Sequence, residues 1–166
     1  ARNPAFRGEV GPDAHKALHS DLWYCDRVNA EYLRRFLALT AARGIRVYWL
    51  LPPLAPRLQA RRERTGAEAG YLGFVRSIQA RHAHLMVLDA RHAGYGPEVF
   101  VDATHLDRRG AQTLSLDVAA VLRRDLAPAR TGSSPRWVDL PRYRDSPVEV
   151  ALEDVEQSRA ILKIAR

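Results

Sequence analysis

The run from Ile45 to Leu51 (Ile-Arg-Val-Tyr-Trp-Leu-Leu) constrains the fold most. It is β-branched and aromatic, nearly continuous in apolar character, and stopped by Pro52-Pro53. A strand covered on both faces by helices has this composition, and neither proline can donate to a ladder. Its surroundings fit. From about Asp26 to Arg43 the spacing predicts a helix, with Leu33, Phe36, Leu37 and Thr40 on one face, Arg34 and Arg35 pointing away, and Gly44 as its stop. Pro52 to Gly66 reads as a loop with a basic second half. A second helix follows from about Ala67 to Arg81, its stripe made of Tyr71, Phe74, Val75, Ile78 and His82. His82 is read as a positive partner for the helix dipole. Leu85 to Leu88 is a second strand, ending at Asp89. Asp107 is the expected N-cap of a third helix, with Ala111, Leu114, Val118, Val121 and Leu122 buried and Pro128 ending it.

Strands alternating with amphipathic helices imply an α/β fold with a parallel sheet and right-handed crossovers. Two strands do not make a stable sheet. Either the irregular segments complete it, or the chain is part of a larger fold. Three regions are expected: an irregular N-terminal segment (1–25), the α/β part (26–127), and a linker with a C-terminal extension (128–166). Thr131–Pro135 is the linker, Arg136–Pro147 extended coil, and Ala151–Ile164 a last helix.

The bulk properties narrow the function. The formal net charge of +7 is nearly all arginine, with Lys16 and Lys163 the only lysines. The basic residues are scattered rather than interleaved with aromatics, so nucleic acid is not an expected partner. Arg57, Arg61, Arg62 and Arg64 are the best argument for a polyanion-binding module. No apolar run approaches the ~20 residues of a membrane helix, and no secretory signal is recognisable. Cys25 is the single cysteine, which excludes an internal disulfide and a cysteine-based zinc site. His15 and His19 have helix-face spacing but lack a third ligand, so they are read as surface residues. Neither metal nor cofactor is expected, and the compartment stays open.

The stretch Phe-Val-Asp102-Ala-Thr-His105-Leu-Asp-Arg-Arg-Gly110-Ala111 is where chemistry enters. A carboxylate and an imidazole share a short loop before a helix. The carboxylate can accept from one ring nitrogen and leave the other free to take a proton. Taken alone, such a pair is more often a loop device than a catalytic one. Its position favours catalysis, because open parallel sheets gather ligands beyond the carboxyl ends of their strands.

That stretch resembles the last sequence block of the SGNH (GDSL-like) hydrolases, an Asp-x-x-His-Leu followed by Gly-Ala at the start of the C-terminal helix. Val47-Tyr-Trp-Leu-Leu-Pro-Pro53 resembles the penultimate-strand region of the same fold. The resemblance covers roughly residues 26–125. It is nearest to bacterial SGNH-like proteins of unknown function related to the alginate O-acetylation proteins. It implies a three-layer, flavodoxin-like α/β/α fold and ester chemistry on an acyl ester or acylated carbohydrate. His105 would be the general base and Asp102 its orienting partner.

The family's nucleophile block is missing, and so are its Gly and Gly-x-Asn blocks. Ser20 follows no apolar strand, Ser77 and Ser115 fall within helices, and Ser133, Ser134 and Ser146 lie near the C-terminus. The expectation is therefore the C-terminal half of an acyl-ester hydrolase or O-acyltransferase, its serine supplied by the remaining N-terminal half or a partner chain. The alternative is a non-catalytic interaction domain of the same ancestry.

Overall fold

The computed structural model describes residues 22–127 and 135–145. Helix α1 (Arg27–Ala42) leads into strand β1 (Val47–Leu51), followed by α2 (Pro56–Thr65) and α3 (Ala67–Arg81). Strand β2 (Leu85–Asp89), a 3₁₀ turn (Pro97–Val99), α4 (Arg108–Asp125) and β3 (Trp137–Asp139) complete the order. The chain is mixed α/β around a parallel sheet of order β1-β2-β3. Val47 pairs with Leu85 and Leu51 with Asp89, while Val87 pairs with Trp137. The expectations for the first 21 residues (including His15, His19 and Ser20), for residues 128–134 and for the terminal helix lie outside the described residues.

Alternation along the strands sorts the core. Val47, Trp49 and Leu85 face one side with Leu37 of α1 and Ile78 of α3. Leu51 and Val87 continue that side against Val75. Tyr48, Met86 and Leu88 face the other side with Leu114, Val118 and Val121 of α4. Every residue of β2 is buried, as a near-continuous apolar strand between two helical faces requires. The β1–β2 connection crosses one face and the β2–β3 connection the other, while the strand order steps one way. The two crossovers therefore have opposite hands, and the right-handed expectation holds for at most one of them.

The structure corrects further sequence expectations. Pro52–Gly66 is not all loop. Pro56 opens α2 at a position where no N–H is needed, and Gly66 closes it at φ 82°. The many arginines hid a narrow buried side, Leu58 and Gln59. Residues 137–139 form a strand rather than coil, too short to show a period. Phe36 does not join the buried stripe of α1. It is about half exposed on a second apolar side with Val28, Tyr32 and Leu39. In α4, Ala111 is exposed, and Gly110, Thr113, Val121 and Asp125 are the buried positions.

At the C-terminus of α3 the positive groups are Arg81, in its last turn, and Arg136, rather than His82. The Arg136 guanidinium donates to the carbonyls of Gln79 and His82. Burial holds the His82 imidazole below its ordinary pKa, and neighbouring His84 and Arg81 add to the effect. The charged form is disfavoured there.

Candidate active site

Three local devices build the loop that carries Asp102 and His105. Phe100 and Leu106 form an antiparallel bridge, and the Val101 N–H donates to the His105 carbonyl at 2.9 Å. Asp107 then caps α4, its Oδ1 accepting from Gly110 N–H at 2.9 Å. Gly110 itself is required by packing. A Cβ there would meet Leu106 Cδ2 at 2.9 Å and the Val99 carbonyl at 3.0 Å. The Leu-Asp-x-x-Gly spacing is thus a mechanical requirement for folding the loop back onto the first turn of α4.

Within the loop, the two carboxylate oxygens of Asp102 have different partners. Oδ1 accepts from the backbone N–H of Thr104 and of His105, both at 2.8 Å, and from the Thr104 hydroxyl at 3.1 Å. Oδ2 lies 2.6 Å from His105 Nδ1. Burial pushes the Asp102 carboxyl up, but hydrogen bonds from Thr104 and from the ring and backbone of His105 outweigh it. The group is held down at about 2. Asp102 is thus a carboxylate at any moderate pH, and an acceptor of the proton on Nδ1. The imidazole is 73% exposed. No group among the described residues bonds its Nε2.

The pair sits beside the carboxyl end of the sheet. Ala55 N–H, just after β1, donates to the Ala103 carbonyl at 3.0 Å. Ser77 and Ser115, the serines in described helices, donate to the carbonyls of Phe74 and Ala111 on their own helices. Neither lies on the loop, and neither is offered to His105. Cys25 is partly exposed and its thiol contacts the Asp26 carbonyl at 3.6 Å. No cluster of three metal-ligating side chains occurs among the described residues, and no described helix is long and apolar enough to cross a membrane.

Sequence reasoning missed a buried ionic network beside this end of the sheet. Arg91 donates to both oxygens of Asp89 and, at 2.9 Å, to Glu68 Oε1. Glu68 Oε2 also accepts from Arg62 at 2.9 Å, and Asp89 Oδ2 from the Trp137 indole at 3.2 Å. Burial disfavours the Arg91 charge, but the bonds to Asp89 and Glu68 outweigh that and raise its pKa. The network ties the start of α3 to the end of β2 and to β3. It also commits Arg62 inward, which weakens the polyanion reading of the basic segment. The only sequence signal was an acid ending a strand two residues before an arginine.

No family model matches this chain, and no curated protein or solved structure matches it.

Proposed function

We propose that this chain carries the Asp-His part of an SGNH-type Ser-His-Asp site, on an acyl-ester hydrolase or O-acyltransferase. The observation behind this reading is the 2.6 Å contact between Asp102 Oδ2 and His105 Nδ1 with Nε2 left exposed. In the proposed reaction, Nε2 takes the proton from a serine hydroxyl as its oxygen attacks the acyl carbon. The same proton then passes to the departing alkoxide, leaving an acyl-enzyme. Water or a sugar hydroxyl attacks next, giving its proton to Nε2, which passes it to the departing serine oxygen and so restores the free serine and the neutral ring. Asp102 keeps the ring in the right tautomer and stabilises the imidazolium.

The serine would come from outside this sequence, on the N-terminal half of the domain or a partner chain, with further strands beside β1 giving the flavodoxin-like layering. The second apolar side of α1, formed by Val28, Tyr32, Phe36 and Leu39, supports a further packing layer. A non-catalytic domain is the second reading. It is favoured by Asp102 Oδ1, whose bonds to Thr104 and His105 serve only the loop.

The test compares p-nitrophenyl acetate hydrolysis by this chain with that of an in-frame gene product carrying a Gly-x-Ser block. We expect little or no turnover from this chain, and turnover from the longer product that His105→Ala lowers on the order of 10⁴-fold. Unchanged turnover in His105→Ala makes the pair structural.

A further inference from the structure

The Thr104 hydroxyl meets both members of the pair. Its Oγ1 donates to Asp102 Oδ1 at 3.1 Å and lies 3.2 Å from His105 Nδ1. Nδ1 therefore has two oxygens within reach, Thr104 Oγ1 and, at 2.6 Å, Asp102 Oδ2. A bare Nδ1 at that distance from a carboxylate would set lone pair against lone pair, so Nδ1 carries the ring proton. A hydroxyl has one proton to give and two lone pairs to offer. With Nδ1 protonated, the Thr104 proton goes to Asp102 Oδ1, and what the hydroxyl turns to the ring is a lone pair.

We infer that Thr104 is a positioning residue for the Asp102–His105 pair. Its hydroxyl holds the carboxylate so that Oδ2 faces the ring, and it accepts a second share of the Nδ1 proton. Exposure gives this bond its importance. The side chains of His105 and Asp102 are 73% and 50% exposed, so water competes for both. An exposed ion pair with nothing to orient it is worth little. Of the bonds on Oδ1, those from the backbone N–H groups of Thr104 and His105 do not depend on the side chain at 104. The hydroxyl bond does, and it also reaches the ring. Threonine suits the task better than serine, because its branched Cβ restricts χ1 and pre-sets the hydroxyl. A lone pair in this place disfavours a bare Nδ1, and so favours the tautomer that leaves Nε2 open. On the non-catalytic reading the same hydroxyl would serve the loop alone and be indifferent to the ring.

The inference rests on the acyl-transfer reading for its purpose, but its test needs no turnover, so either can fail alone. NMR spectra of the ¹⁵N-labelled 166-residue chain, at a pH where the ring is neutral, give the exchange rate of the His105 Nδ1 proton with water. The couplings of the Asp102 Cβ protons give the χ1 rotamer of the carboxylate. Thr104→Val keeps the branched shape and removes the hydroxyl. It should speed the exchange about five- to tenfold, as the loss of one hydrogen bond implies, and average the Asp102 rotamer. Thr104→Ser should restore most of the slow exchange and the single rotamer. Thr104→Ala carries the test if Thr104→Val does not fold, with the same expected result. Exchange and rotamer unchanged in Thr104→Val or Thr104→Ala would overturn the inference. So would Thr104→Ser behaving like Thr104→Val, which would mean that methyl packing sets the geometry. A natural chain whose Nδ1 proton exchanges as fast as that of free imidazole would overturn it too. Turnover of a longer product that is indifferent to His105→Ala would defeat the catalytic reading and leave these results standing.

Discussion

Asp102 performs two tasks with one carboxylate, and the division is visible atom by atom. Oδ1 fixes the loop through Thr104 and His105, and Oδ2 meets the imidazole. Its depressed pKa makes a signed prediction. A carboxyl held at about 2 rather than 3.8 contributes stability above 3.8, and that contribution is lost as the pH falls through 2. The stability difference between the natural chain and Asp102→Asn, from urea unfolding at a series of pH values, should shrink as the pH falls from about 4 toward 2. A difference that grows over that range contradicts this assignment. The Asp-x-x-His pair was legible in the sequence because both partners lie within one turn of chain. The second task of Asp102 was not, because bonds to backbone N–H leave no mark on residue identity.

At the level of elements, the same contrast recurs. The boundaries of α3 and the cap of α4 were readable, since Gly66, Asp107 and a periodic apolar stripe announce them locally. Helix α2 was not, because charge swamped a stripe as narrow as Leu58 and Gln59. Nor was the link between β1 and α4. There Asp125, 8% exposed, accepts from the Tyr48 hydroxyl at 2.7 Å and from Arg46. Burial, then the bond to Asp125, pushes the Tyr48 phenol up to about 12. The Glu68–Arg91–Asp89 network joins elements separated in sequence, so no local pattern reveals it. Its side chains are all less than a tenth exposed. Arg91→Met leaves two buried carboxylates without their shared partner, and should lower unfolding stability by about 3–5 kcal/mol in a denaturant melt. A loss under about 1 kcal/mol would show that water reaches both carboxylates and that the network does not hold the elements together.

Across the molecule, a parallel three-stranded sheet carries helices on both faces, yet α1 keeps a second apolar side uncovered among the described residues. Leu39 is 51% exposed there. Leu39→Gln should therefore change unfolding stability by no more than about 0.5 kcal/mol, the usual range for a surface site, while reducing the fluorescence of a bound hydrophobic dye. A large loss of stability would mean that Leu39 is buried in solution. The alternation of helices and strands made the α/β class legible from the order of elements alone. The opposite hands of the two crossovers were not legible, because they depend on β3, a strand of three residues. At this scale the sheet brings the Asp102–His105 loop beside the segment after β1, through Ala55 and Ala103.

The central claim is that Asp102 fixes the His105 ring with its proton on Nδ1 and Nε2 open as a base. Long-range ¹H–¹⁵N correlation spectra of this chain, recorded at a pH where the ring is neutral, report that proton directly. The account predicts a protonated Nδ1 and an unprotonated Nε2 on His105, with the preference lost in Asp102→Ala. A neutral ring protonated on Nε2, or a tautomer unchanged by removing the carboxylate, would contradict it.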